Sequence, residues 1–341
     1  MRQAVLIGTP GTKRTVYLER AALREGITFR MLDWKDREVW QKGFTDSEFF
    51  LKIDPPLWES CSLNELDHLT AGYLKCLEEL PFQAPNTEFL NSPEVIGALL
   101  DKRACKDRLL AEGLSVTEPL SERSPLSAEE LLDGMRRQQM NQVFIKPLRG
   151  SGAAGVSAFR WQPDRNRMAL YTCALHTSEL GLINTKRLRK FLDAEEIIPL
   201  LNHILALGCI VERWYAKGEY QGFSYDLRVV MQDGEPDFIL ARLSKGPITN
   251  LHLNNHPLEV KELGLSQTLL DSVVELCRKS MKCYPGLRSA GLDVLLEKGS
   301  MKPRIIEMNA QGDLIYQDIY HENKIYGRQT QMMKKWLLDG C

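Results

Sequence analysis

The sequence predicts an α/β protein: a βα prelude followed by two lobes that mix helices with antiparallel hairpins. Three observations carry this. AVLIG (residues 4–8), a helical pattern from Val16 to Glu25 closing on Gly26, and ITFRMLDW (27–34) read as a βαβ opening, which needs a parallel sheet and a crossover helix. SYDLRVVMQDGEPDFILARLS (224–244) reads as two strands around an Asp233-Gly234 turn. GLDVLLEKGSMKPRIIEMN (291–309) reads as a second hairpin.

The chain has 341 residues, too many for one small core, so two or three lobes are expected. With 43% hydrophobic and 26% charged residues the composition is that of an ordered globular protein. A net charge of −1 gives no general field for attracting nucleic acid or an acidic membrane, so neither is an expected partner. None of the eight cysteines forms a C-x-x-C pair, which argues against a zinc ribbon or a thioredoxin-like motif. Cys61, Cys76, Cys105, Cys209 and Cys277 sit in apolar or helical-looking runs and read as buried, reduced thiols. The start, MRQAVLIGTPGTKRT, lacks a secretory h-region, and no apolar stretch is long enough to span a bilayer. A cytoplasmic protein is expected.

The remaining elements follow in order. GTPGTKRT resembles a phosphate loop but has Gly8, Gly11 and Lys13 too close together for G-x-x-x-x-G-K-[ST], so it reads as a strand-to-helix turn. Residues 54–67, with Pro55 and Pro56, read as loop, and Leu69 to Leu80 as helix. Ser92 can cap a helix with Pro93 at its first position, in a unit that ends at Gly113 with Leu99, Leu100, Leu109 and Leu110 on its core face. Ser127 to Arg137 is an amphipathic helix with Glu130 at the capping-box position. VFIKP is a strand, 195–207 a helix ending at Gly208, and CIVERWY a strand. Leu265 to Met281 and Tyr326 to Leu338 are helical. Domains are expected at 1–90, 91–208 and 209–341.

The chemistry-bearing residues begin with VFIKPLRGSGAAGV (143–156). Lys146 ends an apolar strand. Its ammonium either snorkels to solvent or binds phosphate, because GSGAAG follows and small residues let backbone N–H groups approach a polyphosphate. In RIIEMNA, the strand period of two puts Glu307 and Asn309 on one face. If the hairpin turn centres on Ser300, Asp293 lies opposite Glu307. The three then form either an oxygen cluster suited to Mg²⁺ or a solvated strand face. Asp226 and Arg228 share a face. Arg242 lies opposite Asp226 for a three-residue turn but on the other face for a two-residue turn, and an ordinary cross-strand ion pair remains the simplest reading. Lys102 alone reads as a solvated helix charge, Glu212 ends another apolar strand, and His252 lies in the polar loop NLHLNN. No metal-ligand histidine spacing and no G-x-S-x-G element is present, which disfavours a zinc enzyme or a hydrolytic triad.

The ordered set resembles the ATP-grasp superfamily. It comprises DK in a helix, a strand lysine with a Gly-rich loop, V-E-R-W, D-L-R on a hairpin, N-L-H, and G-L-D with E-M-N, over roughly residues 90–338. Within it, the set resembles ligases that add glutamate to a ribosomal protein's C-terminus and their lysine-biosynthesis relatives. The whole chain is similar to a bacterial ATP-grasp family sharing the runs TNLHLNN and NAQGDLIYQDIY. The resemblance implies that Lys102 and Lys146 hold ATP phosphates and that the loop Arg149–Gly155, with Gly150, Ser151 and Gly152, closes over them. It implies that Glu212, Arg213, Trp214 and Tyr215 form the adenine hinge, with Glu219 toward the ribose hydroxyls. Asp293, Glu307 and Asn309 match Mg²⁺ ligands, with Mn²⁺ as an alternative ion. Arg228 and Arg242 match positions near the transferred phosphoryl group, and Asn250 and His252 a loop lining the reaction site.

The implied activity is an ATP-dependent ligase that joins a small-molecule or peptide carboxylate to an amine or thiol through an acyl phosphate, releasing ADP and phosphate. A phosphotransferase and a non-catalytic nucleotide sensor are the alternatives on the same fold. Relatives include dimers and tetramers, so a homo-oligomer is compatible with the resemblance. Ala310-Gln311-Gly312-Asp313 stands where such ligases often have Ser-Pro-Gly, so the acceptor does not carry over.

Overall fold

The computed structural model describes residues 2–36, 48–80, 87–150, 152–165 and 167–339. Strands β1 (Arg2–Gly8), β2 (Phe29–Asp33), β3 (Glu48–Ile53) and β4 (Thr87–Phe89) form a parallel sheet in the order β2-β1-β3-β4. Helix α1 (Lys13–Glu25) starts where the Thr12 side chain accepts from Thr15 N and ends at Gly26, whose φ of 68° is the left-handed value that favours glycine. Helix α2 (Leu63–Glu79) begins earlier than the sequence suggested. Ser62 caps it by accepting from Glu65 N, so residues 63–67 are helix rather than loop.

The unit ending at Gly113 is two helices, α3 (Pro93–Leu100) and α4 (Lys102–Ala111). Asp101 separates them with extended backbone, and its Oδ1 accepts from Arg103 N and Ala104 N at 2.9 and 3.0 Å. Leu99 and Leu109 are buried, but Leu110 is 39% exposed and lies off the expected core face.

Strands β5 (Gln142–Pro147), β6 (Ser157–Gln162), β7 (Arg167–Thr177), β8 (Gly181–Phe191) and β9 (Cys209–Arg213) make an antiparallel sheet ordered β8-β7-β6-β5-β9. Helices α5 (Ala128–Arg137) and α6 (Ala194–Leu205) cover one face, where Leu131, Met135, Phe159, Leu170, Ile197 and Leu201 share a core. Residues 209–213 pair with β5, so the expected division at 208/209 falls between two parts of one sheet.

Strands β10 (Glu219–Tyr220), β11 (Phe223–Gln232), β12 (Glu235–Ser244), β13 (His256–Glu259), β14 (Ser289–Leu296) and β15 (Pro303–Asn309) form the third sheet. Its path is β13-β12-β11-β14-β15, with β10 on β11. Helix α7 (Gln267–Lys282) packs on it through Val273 and Cys277, in a core shared with Val5, Phe49 and Tyr73 of the N-terminal part. After the short α8 (Tyr316–His321), α9 (Lys324–Leu338) returns to the parallel sheet, where Tyr326 and Met333 pack with Leu6 and Leu18. The C-terminal helix therefore belongs to the N-terminal layer.

The seven cysteines in the described residues are free thiols. Cys105, Cys209 and Cys277 are buried as expected and Cys76 is half-buried, but Cys61 is exposed. It lies just before the α2 cap, not inside an apolar run. No helix among the described residues is long and apolar enough to cross a membrane.

Candidate functional site

Lys146 ends β5 and is only 5% exposed, so snorkelling to solvent is not its solution. Its ammonium donates to Glu212 Oε2 at 2.7 Å, with Glu212 delivered by neighbouring β9. The Glu212 carboxylate also accepts from Thr117 Oγ1 at 2.5 Å and faces Lys106 Nζ at 3.7 Å. Lys106 in turn donates to Thr117 Oγ1 and Ile305 O. Burial raises the Glu212 carboxyl, but Lys106 and Lys146 outweigh it and hold it below the usual carboxylate range. Burial drives the Lys106 ammonium down to about 8, against the pull of Glu212. The sequence reading passed over Lys106 because it sits among other charges in LLDKRACKDR, where burial leaves no signal.

After Pro147 the chain enters the glycine loop. Gly150 and Gly155 have φ of 123° and 69°, and a Cβ at Gly155 would lie 2.8 Å from Pro147 Cγ, so the loop needs glycine there. Gly150 O accepts from Lys102 Nζ at 2.8 Å. Lys102 is the first residue of α4, and the Asp101 cap fixes the angle at which it meets the loop. Its ammonium also lies 3.7 Å from Glu307 Oε1. Ser151 lies outside the described residues.

The two hairpins face this wall. In β14–β15, Asp293 pairs with Glu307 and Gly291 with Asn309, so the three oxygen-bearing side chains share a face. The register slips at Ile306, between Val294–Ile305 and Asp293–Glu307. In β11–β12, the turn is the two-residue Asp233-Gly234, yet Asp226 faces Arg242 because Asp237 is an extra, bulged residue. Arg328 Nη1 holds the bulged Asp237 carboxylate at 2.6 Å.

Arg242, 4% exposed, donates to both oxygens of Asp226 at 2.8 and 2.9 Å and reaches Asp293 Oδ2 at 3.0 Å. Arg228 Nε approaches Asp293 Oδ1 at 2.9 Å. Lys217, a further buried lysine that the sequence reading missed, donates to Thr249 Oγ1 at 2.6 Å and lies 3.4 Å from Asp226 Oδ2. Burial lowers Lys217 despite Asp226. Asp226 would be raised by burial, but Arg242 and Lys217 hold it well below the carboxylate range.

Most of these groups line one cavity between the second and third sheets. Lys102, Lys146, Gly150, Gly152 and Glu212 form one wall, with Arg213 and Tyr215 at its end. Arg228, Asn250, Asp293, Glu307 and Asn309 form the other. Among the described residues, four candidates are not in its lining. Arg242 acts from behind Asp226 and Asp293. Trp214 packs against Phe144 with the rings tilted at 51° and their centroids 5.2 Å apart. Glu219 is exposed and pairs with Lys298 at 2.7 Å. His252 is exposed, with its ring 3.7 Å from where a Gly152 Cβ would stand. In the hinge run, Arg213 N and Trp214 N donate within the protein, to Glu118 O and Gln142 O.

Two carboxylates and an amide oxygen on one face of the β14–β15 hairpin are a donor set for a hard divalent cation. Asp293 Oδ1 is buried without an aligned hydrogen bond, which leaves it a lone pair to offer. Among the described residues no cluster of three or more His, Cys, Asp and Glu side chains is placed to hold a metal, so the fit rests on Asn309 as the third donor.

No protein-family model matches the chain, and no curated protein matches it by sequence. Solved structures do match it over nearly its full length. The ATP-grasp ligase PsnB, complexed with a minimal precursor, is 14% identical, covers 98% of this chain and 99% of its own, with a TM-score of 0.60. Macrocyclase MdnC from Microcystis aeruginosa MRC, bound with precursor peptide MdnA, is 12% identical, covers 98% and 100%, with a TM-score of 0.61. D-alanine–D-alanine ligase from Bacillus anthracis, complexed with ATP, is 13% identical, covers 100% and 99%, with a TM-score of 0.54. With three sheets in this arrangement and these neighbours, the chain has the ATP-grasp fold.

Proposed function

We propose that the protein is an ATP-dependent ligase that activates a carboxylate as its acyl phosphate and transfers the acyl group to an amine or thiol. One observation carries the reading: Lys102, Lys146 and Arg228 converge with Asp293, Glu307 and Asn309 in a single cavity beside a glycine loop. Three cations and an oxygen donor set at one place match a polyphosphate with its metal, and the solved neighbours include complexes with ATP and with Mg and ADP.

In this reading Lys102 and Lys146 bind the ATP phosphates under the loop of Gly150, Ser151 and Gly152. Tyr215 and Arg213 flank the base. Asp293, Glu307 and Asn309 hold Mg²⁺ or Mn²⁺, which when bound neutralises phosphate charge. Arg228 stabilises charge on the transferred phosphoryl group, while Arg242 orients Asp226 and Asp293. Asn250 lines the reaction space, with its Oδ1 accepting from His252 N at 2.9 Å. A substrate carboxylate oxygen attacks the γ-phosphorus, the bond to the β-phosphate oxygen breaks, and ADP leaves. The nucleophile then attacks the acyl carbon, loses its proton, and expels phosphate. The protein's share is positioning and charge neutralisation, with no covalent enzyme intermediate. The same reading includes the branch resemblance to glutamate-adding and lysine-biosynthesis ligases, a cytoplasmic protein, and an N-terminal domain followed by two lobes that grip ATP.

The test is nucleotide accounting. Purified protein with Mg-ATP, a carboxylate panel and hydroxylamine as a general nucleophile should release ADP and form hydroxamate only when an acid is present. AMP with pyrophosphate would overturn the reading in favour of an adenylating enzyme.

A further inference from the structure

A second cavity opens beside the first, and its chemistry differs. Pro55, Trp58, Tyr73, Ile96, Leu99 and Leu100 line it. Lys102, Gly150, Glu307 and Asn309 line both cavities, so the two meet where Lys102 faces Glu307. Part of this wall follows the C-terminal end of β3 in the parallel sheet, where open α/β sheets place their ligands. The aromatic wall is held rigidly. Tyr73 packs edge-on against Trp34 and Trp58, at 5.4 and 5.9 Å between ring centroids, and its hydroxyl accepts from Gln311 Nε2 at 2.8 Å.

The polar complement is sparse. Lys102 stands at the junction, and Arg14 is the other cation in the wall. Arg14 donates through Nη1 to Asp313, and Lys52, which also reaches Asp313, pairs with Asp54, so the two cations are balanced by two carboxylates inside the protein. The remaining guanidinium donors of Arg14 suit a neutral acceptor such as a carbonyl or hydroxyl. A second carboxylate in the apolar part would be desolvated with no unbalanced cation to meet it.

Resting on the ligase reading above, we infer that this second cavity selects the carboxylate substrate and that the substrate is an acid bearing an apolar or aromatic side group. Its carboxylate sits at the junction beside Lys102, and its side group lies against Trp58, Tyr73, Ile96 and Leu99. Acidic substrates such as glutamate are excluded by the apolar wall. A free hydrophobic amino acid and the hydrophobic C-terminal residue of a peptide carry the same chemistry, and the assay below separates them.

The experiment measures ADP release and hydroxamate formation with Mg-ATP, hydroxylamine, and an acid panel. The panel holds L-leucine, L-phenylalanine, their N-acetyl and N-glycyl forms, L-alanine, L-aspartate and L-glutamate. The hydrophobic acids should exceed L-glutamate and L-alanine in kcat/KM by about tenfold or more. The free or the N-blocked arm will lead according to whether the source is an amino acid or a peptide. Trp58→Ala should raise KM for the hydrophobic acid by about tenfold and leave KM for ATP unchanged. Leu100→Lys, at a half-buried position in the cavity wall, should shift the preference toward L-glutamate. Turnover led by L-glutamate, L-aspartate or L-alanine, with hydrophobic acids inert, would overturn this inference while leaving the ligase reading intact. No ADP release with any acid, from protein that binds Mg-ATP, would count against both.

Discussion

The Glu212 carboxylate accepts the Lys146 ammonium at 2.7 Å while facing Lys106 at 3.7 Å, and all three side chains are buried. One carboxylate thus sits between two lysines from different elements, and Lys146 is held at the cavity wall before any ligand arrives. The arrangement has a measurable consequence at alkaline pH. Lys106 lies near 8 in the folded protein, below the unfolded lysine value of about 10.4. Between those values the unfolded chain binds more protons, so this group makes stability rise with pH. Lys106→Met removes the effect. The melting temperature of the wild type minus that of the variant should increase from about pH 7.5 to about pH 9.5, and a pH-independent difference would reject the assignment.

Asp313 gives the opposite limb. Burial raises its carboxyl, but Lys52 and Arg14 outweigh it and bring it to about 2. Its contribution is fully present above the unfolded value near 3.9 and is lost as pH falls toward 2. Asp313→Asn leaves Lys52 and Arg14 short of a partner and should destabilise the protein by about 3–5 kcal/mol at neutral pH in urea unfolding. The difference from wild type should shrink as pH drops below 4, about the unfolded carboxylate value.

Arg242 bridges Asp226 and Asp293 from outside the cavity. Arg242→Gln leaves two buried carboxylates with one cation fewer and should cost about 3–5 kcal/mol of stability. Half-saturation by Mg²⁺, followed through ATP-dependent protection at a temperature where the variant is folded, should weaken as Asp293 loses its orientation.

Gly291 is packed where no side chain fits. A Cβ there would collide with the Gly312 carbonyl oxygen and stand 2.5 Å from Arg228 Nη1. Gly291→Ala should therefore displace Arg228 and lower kcat by about a hundredfold with a smaller change in the KM for ATP. Unchanged kcat would remove Arg228 from the reaction.

The sequence carried the hairpins well and the buried charges poorly. The Asp293–Glu307 pairing follows from counting back from the turn. The turn is centred half a residue from Ser300, and the slip at Ile306 compensates. The Asp226–Arg242 pairing was undecidable, because a two-residue turn plus a bulge at Asp237 gives the register of a three-residue turn. Bulges depend on tertiary partners, here Arg328 from the distant α9. Lys106 and Lys217 were invisible for a related reason. Nothing local distinguishes a solvated lysine from one buried against Glu212 or Thr249. The three strands between Ser157 and Phe191 were not read, since charged residues on β8 obscure the period of two in TKRLRKF. Trp58 and Tyr73 carry no signal of their role, because nothing local brings a proline-rich loop and α2 to the end of a parallel sheet.

The central claim is that Lys146 and Glu307, on opposite walls, serve one Mg-ATP site. Thermal unfolding of wild type, Lys146→Ala and Glu307→Ala, each with and without Mg-ATP, tests it most directly. At a hundredfold excess over Kd the ligand should stabilise the wild type by about 2.7 kcal/mol, and both variants should lose most of that shift. Equal shifts in all three proteins would contradict the account.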